Sequence, residues 1–200
     1  MKNIKPQVLE NSPNKKWCFV CLIAIMASGM LVVPAGIYVI TTNPNHSRII
    51  RAWWNGALYR GEDGVIRQRT KYDCGVVCLQ MVLRDRGITA RLDDLRASAQ
   101  TNYHGTSLLG LKWAAEKYGV KASAWMLNQK DLLRIQLPVI AFVDENHFVV
   151  IDDVSNDGTL TILDPARGRL QYSRTSFARH WKGEALILGE YSDRVLSGQD

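Results

Sequence analysis

The chain has 200 residues, 46% apolar and 22% charged, with a net charge of +6. That length carries one domain of ordinary size and excludes a second large one, and the composition excludes a disordered tail. The Lys and Arg residues are scattered, with no run of five or six, so no nucleic-acid partner is expected.

From Trp17 to Thr41 no charged residue occurs. A helix over 17–41 rises ~37 Å, more than the roughly 30 Å of a bilayer's hydrocarbon, so it predicts one tilted or bent transmembrane anchor. The stretch is longer than the apolar core of a secretory signal, and no small-x-small cleavage site follows Ile40. Cys18 and Cys21 lie inside it without a second pair or histidines to complete a metal site, so they read as filler. Lys2, Lys5, Lys15 and Lys16 precede the span, and Arg48, Arg51 and Arg60 follow it. This asymmetry predicts a cytoplasmic tail over 1–16 and a domain on the far side of the inner (cytoplasmic) membrane, periplasmic or otherwise extracytoplasmic. Ile49, Ile50, Trp53, Trp54 and Leu58 recur at near-helical spacing, so residues 47–59, within a linker over 42–64, predict a helix lying in the interface.

In the domain proper, Cys74 to Arg86 predicts a helix with Val77, Leu79, Met81, Val82 and Leu83 inward and Gly87 as its stop. A short helix fits 93–100. Thr106 or Ser107 caps another that runs to Tyr118, with Leu108, Leu109, Leu111, Trp113 and Ala115 directed to the core. Beyond Val120 the period shortens towards two, and strands are predicted at 120–127, 138–143, 147–154, 159–163 and 184–188. Ser155-Asn156-Asp157-Gly158 is turn chemistry that folds 147–164 into a hairpin. Short helices are expected at 129–135 and 176–181, the second capped near Ser173 or Thr175. Helices first and an antiparallel sheet second make an α+β domain over 65–190, followed by a tail over 191–200.

A thiol attacks as its thiolate, and a helix N-terminus favours that charge. Cys74, between Asp73 and Gly75, stands where loop becomes helix, and Gly75 leaves room for a substrate backbone. A cysteine there is also often just a small buried residue, and Cys78, one turn on, is read that way. Gln68, in the loop before Cys74, carries an amide able to donate to an oxyanion. Of the four histidines, His46 lies at the membrane exit and His180 in a late helical segment. His104 sits in a polar loop, and His147 opens a buried strand as either a base or a satisfied edge histidine. In the predicted hairpin Asp164 ends the partner strand at the same end as His147, where a carboxylate can orient an imidazole. It also reads as a turn-forming Asp-Pro. Asp152 and Asp153 fall at the far end.

The run Gln68-Arg69-Thr70-Lys71-Tyr72-Asp73-Cys74-Gly75-Val76-Val77-Cys78-Leu79-Gln80-Met81 resembles the signature of the bacteriocin-processing cysteine peptidases, papain-like domains that cut double-glycine leader peptides. The likeness continues through Gly105-Thr106-Ser107-Leu108, His147-Phe148-Val149-Val150, Ile162-Leu163-Asp164-Pro165-Ala166-Arg167-Gly168, and Phe177 with Trp181-Lys182-Gly183. The resemblance implies a papain-like fold, Cys74 as nucleophile, His147 as base and acid, Asp164 as orienter and Gln68 as oxyanion donor. No cofactor or metal is implied. The implied partners are a leader or precursor substrate, the membrane through 17–41, and components of a secretion system. A leader-binding module without activity, or a transglutaminase-like acyl-transfer enzyme, are the rival readings.

Overall fold

The computed structural model describes residues 44–189. The predicted membrane span over 17–41, the tails over 1–16 and 191–200, and Cys18 and Cys21 lie outside the described residues. Among the described residues no helix is long and apolar enough to cross a membrane.

Helix α1 (Pro44–Trp54) precedes the three-residue strand β1 (Ala57–Tyr59). The helix expected to continue through 59 therefore stops at Trp54. Asn55 and Gly56 turn the chain, and Ala57 to Tyr59 pair instead with a strand far along the sequence. Ile49, Ile50, Trp53, Trp54 and Leu58 are exposed.

The next three helices are α2 (Cys74–Asp85), α3 (Leu92–Ser98) and α4 (Leu108–Lys117). Nine α2 residues are buried, from Cys74 through Leu83 with only Gln80 left out, so α2 is a core helix. Gly87 and Gly119, the predicted stops of α2 and α4, take positive φ of 74° and 76°, which an L side chain resists. Ser107 caps α4, its hydroxyl accepting the Gly110 amide at 3.0 Å. Leu111 and Ala115 of α4 are buried as expected, but Leu109 and Trp113 are exposed. The inward stripe runs through 110, 111, 114 and 115, and positions 109 and 113, four apart, share the opposite edge of the helix.

Seven strands follow the order β1-β6-β5-β4-β3-β7-β2, every pairing antiparallel. They are β2 (Ala122–Met126), β3 (Val139–Val143), β4 (His147–Val154), β5 (Leu160–Asp164), β6 (Gly168–Tyr172) and β7 (Trp181–Leu188), besides β1. The hairpin of β4 and β5 forms as predicted, with Val150 opposite Leu163 and Val154 opposite Leu160. Two elements differ from expectation. Strand β6 forms where no element was predicted, and Trp181 opens β7 where a helix was expected to end. That helix is the shorter α5 (Arg174–Phe177), capped by Ser173, and a 3-10 turn (Asp131–Leu133) stands in the predicted 129–135 segment.

The core has two parts, one on each face of the sheet. On one, α2, α3 and α4 cover Ile140, Phe148, Val150, Leu163 and Leu186. On the other, Leu132, Ile135, Phe177, Trp181 and Ala52 cover Val149, Ile151, Ile162 and Ile187. The fold is α+β, helices on an antiparallel sheet, and β4 is its central strand. The first residue of β4 is His147, the last of its neighbour β5 is Asp164, and α2 lies against β4.

Candidate active site

Cys74 is the first residue of α2 and is 5% exposed, so its sulfur sits beside unpaired helical amides that favour a negative charge. Burial pushes the thiol pKa up. Hydrogen bonds to the His147 ring and to the Phe148 backbone amide, with the charge of the imidazolium, outweigh burial and hold it below the ordinary thiol value. Cys78 is the contrast. Burial, with the neighbouring charges of Cys74 and Asp164, pushes its thiol well above that value, so it remains a neutral core residue, as expected.

His147 reaches Asp164 through Nε2, 2.9 Å from Oδ1. With that nitrogen committed, Nδ1 is the one left for the Cys74 sulfur. Burial alone disfavours the imidazolium. Hydrogen bonds to Asp164 and Cys74, and their charges, prevail and raise the His147 pKa to about 9. Asp164 is itself buried, and burial pushes its carboxyl up. The bond and charge of His147, the charge of Arg167 and the Ala166 amide together hold it below the usual carboxylate range. Its Oδ1 also accepts the amides of Ala166 at 2.7 Å and Arg167 at 3.1 Å. The Asp-Pro turn thus cradles the same carboxylate that hydrogen-bonds the imidazole. The Cys74 thiol and the His147 ring each favour the charged form of the other, the tendency expected of an activated nucleophile with an oriented base.

Gln68 lies in the loop before α2. Its backbone amide donates to the Pro165 carbonyl at 3.1 Å, next to Asp164 in the chain, and its side-chain Nε2 donates to the Thr70 carbonyl at 3.0 Å. One N–H of that amide is left for another acceptor. Gly75 has a different role from the one expected. A Cβ there would stand 3.1 Å from Phe148 Cδ2 and 3.4 Å from Leu111 Cδ1, so its bareness lets α2 pack on β4 and α4 rather than admitting a substrate.

The other histidines stay apart from this site. His104 is exposed in its loop, stacked on Tyr103. His180 pairs through Nδ1 with Asp144 at 2.8 Å and through Nε2 with the Asn55 carbonyl at 3.2 Å, so both nitrogens are occupied. His46 lies in α1. Asp152 pairs with Arg169. Sequence reasoning missed the Phe148 amide on the sulfur, Arg167 beside Asp164, and Arg96, which grips Asp73. The first two adjoin predicted site residues and follow from them, whereas Arg96 carries no local signal. Among the described residues no cluster of His, Cys, Asp or Glu suits a metal ion.

The profile of the Peptidase C39 family matches residues 63–193. An uncharacterized protein of Methanothermobacter marburgensis is 31% identical over 135 residues, 68% of this chain and 94% of that protein. The lactococcin-G-processing and transport ATP-binding protein of Lactococcus lactis is 34% identical over 132 residues, 62% of this chain but only 18% of its own length. Among solved structures, a double glycine motif protease from an AMS/PCAT transporter, in complex with the leader peptide, superposes with a TM-score of 0.60 at 28% identity. It covers 68% of this chain and 98% of that one. A family match over residues 63–193 and a shared overall fold lead to one assignment: the chain belongs to the Peptidase C39 family.

Proposed function

We propose that the protein is a thiol-dependent endopeptidase that removes a leader from a peptide or secreted precursor, cutting after a double-glycine site. The observation that carries this reading is the continuous line of hydrogen bonds from Cys74 through His147 to Asp164 at the N-terminus of α2. The Cys74 thiolate attacks the scissile carbonyl carbon, forming a C–S bond while the carbonyl electrons move to oxygen. The free N–H of the Gln68 amide and the Cys74 backbone amide stabilise that oxyanion. The imidazolium of His147 gives its Nδ1 proton to the leaving amine as the C–N bond breaks. Water then attacks the thioester, with His147 as base, and the acid product leaves with the thiol restored. Asp164 keeps the ring aimed throughout.

The substrate class is supported by the named relatives, which process bacteriocins or were crystallised with a leader peptide. The setting belongs to the same proposal: an anchor over 17–41, a linker over 42–64, a peptidase domain over 65–190 facing the periplasm, and service to a secretion system. The uncharged run after Trp17, the lysines before it and the exposed Trp53 and Trp54 support this arrangement.

The test is to incubate the full-length chain and its Cys74→Ala variant with precursor peptides bearing Gly-Gly or Ala-Ala at the leader junction, adding hydroxylamine to half the samples. Cleavage after Gly-Gly by the parent alone, with a free carboxylate as main product, is the expected result. Peptide retention without cleavage identifies a binding module, and amide products dominating without added amine identify an acyl transferase.

A further inference from the structure

The residue before the nucleophile is a carboxylate with no exposed surface. An aspartate at a helix start ordinarily accepts an amide of the first turn, but Asp73 makes no such cap to α2. Its carboxylate faces elsewhere. Oδ1 accepts Nε of Arg96 at 2.9 Å, and Oδ2 accepts Nη2 of Arg96 at 2.7 Å together with the Thr70 amide at 2.9 Å. The arginine comes from α3 and grips the carboxylate with the two-pronged geometry that fixes direction as well as charge. Its Nη1 bonds Asp93 at 2.7 Å.

The backbone of Thr70 is held through both of its polar groups, on either side of its Cα. Its N–H goes to Asp73, and its carbonyl accepts the Asp73 amide at 3.3 Å and the Gln68 side chain at 3.0 Å. The other end of the Gln68 amide, Oε1, is buried and receives no donor from the described residues. The bond to Thr70 is then the polar restraint that sets which way the Gln68 amide points. A chain of contacts runs from Arg96 to Asp73 to Thr70 to Gln68, none longer than 3.0 Å along its shortest links.

We propose that Arg96 and Asp73 are positioning residues for the oxyanion donor: the guanidinium fixes the carboxylate, Asp73 fixes the Thr70 backbone by its carboxylate on the N–H and its own amide on the carbonyl, and that carbonyl aims the Gln68 amide. This inference rests on Gln68 having the role assigned under Proposed function. Arg96 touches no reacting atom and acts through Gln68 alone. A simple brace between α3 and the loop would use the same bonds, so the effect on turnover has to be shown to pass through Gln68.

A double-mutant cycle in the full-length chain separates the two, with the Gly-Gly precursor peptide as probe. Gln68→Ala lowers kcat by about a hundredfold, the usual scale for one oxyanion donor. Arg96→Met lowers kcat by about tenfold or more with KM within about twofold, and in the Gln68→Ala background the same change costs less than about twofold. Arg96→Lys recovers part of the rate. The pH profile of Cys74 alkylation stays that of the parent in every variant, and Thr70 amide exchange accelerates in Arg96→Met. Equal losses in both backgrounds, a loss carried by KM, or a displaced alkylation profile overturns the proposal. Should Arg96→Met not fold, Arg96→Lys must show the same non-additivity, and additive behaviour rejects the inference. If Gln68→Ala keeps the parental kcat while Cys74→Ala is inactive, the oxyanion assignment fails and this inference with it. A parent that cuts no peptide removes the proposed activity itself, and Thr70 exchange then reports only a structural restraint.

Discussion

Replacing Asp164 with asparagine keeps an acceptor oxygen for His147, Ala166 and Arg167 but deletes the charge that favours the imidazolium. In the parent, His147 is lifted from an ordinary 6.5 to about 9, a preference of about 3 kcal/mol at 1.36 kcal/mol per pH unit. Asp164 and Cys74 share that preference, the Asp164 bond being the larger favourable contribution. A carboxylate within hydrogen-bonding distance is worth about one to two pH units of it. Asp164→Asn therefore moves the His147 midpoint down to about 7 to 8 and weakens the Cys74 thiolate at the same time. The reactive pair exists above the thiol's titration and below that of the imidazole, so its window narrows from both sides. The assay is an NMR titration of the His147 ring beside the pH profile of kcat/KM. The parent has an alkaline limb near pH 9, and in the variant the limb shifts down and kcat/KM at pH 8 falls by about ten- to a hundredfold. A His147 midpoint unchanged within about 0.3 of a pH unit, with the ring still packed in place, would refute the assignment of Asp164 as its charge partner.

Gly75→Ala drives a methyl group against Phe148 and Leu111, and overpacking of this kind costs about 1 to 3 kcal/mol. Thermal melts should show Tm lower by about 3 to 10 °C. Ser107→Ala removes the cap on α4 and should cost about 1 kcal/mol in urea unfolding, with the m-value unchanged. Stability follows pH with opposite signs at the two ends of the pair. The raised His147 pKa contributes stability that is complete below 6.5 and lost as pH rises through about 9. The depressed Asp164 pKa contributes stability present above 3.8 and lost as pH falls through its lowered value. Tm should accordingly fall on both sides of a plateau between pH 3.8 and 6.5, and Asp164→Asn should flatten the acid limb. Replacing Trp53 and Trp54 together by serine should weaken binding of residues 44–200 to anionic vesicles in flotation if α1 lies in the interface, and equal flotation would reject that placement.

What the sequence made legible was local or periodic. The stripe of α2, the Ser107 cap, the glycine stops and the turn between β4 and β5 each depend on neighbours a few residues apart. From that hairpin alone His147 and Asp164 fall at one end of the sheet. Strand β6 does alternate, with Leu170 and Tyr172 buried and Arg169 and Gln171 between them, but five residues opening on Gly168 give a short signal, and the strand is held by β1 and β5 on either side. Trp181 was assigned to a helix because only pairing with Val143 reveals it as a strand residue. Trp113 is large and apolar, which suggests an inward place, although its position on the helix faces out. Asp73 was recognised as the start of a helix, yet its partner Arg96 is 23 residues away on another helix, a contact that no spacing announces. Gly75 reads as open space in the sequence, because the Phe148 ring that would meet a Cβ there is 73 residues away in the chain.

The central claim is that His147 holds the titration of the Cys74 thiol below its ordinary value, and thiolate absorbance at 240 nm across a pH titration tests it most directly. The account predicts a step belonging to one sulfur with its midpoint below the ordinary thiol value of 9.0, absent in Cys74→Ala and moved upward in His147→Ala. A Cys74 step at or above that value, or one that ignores the loss of His147, would contradict it.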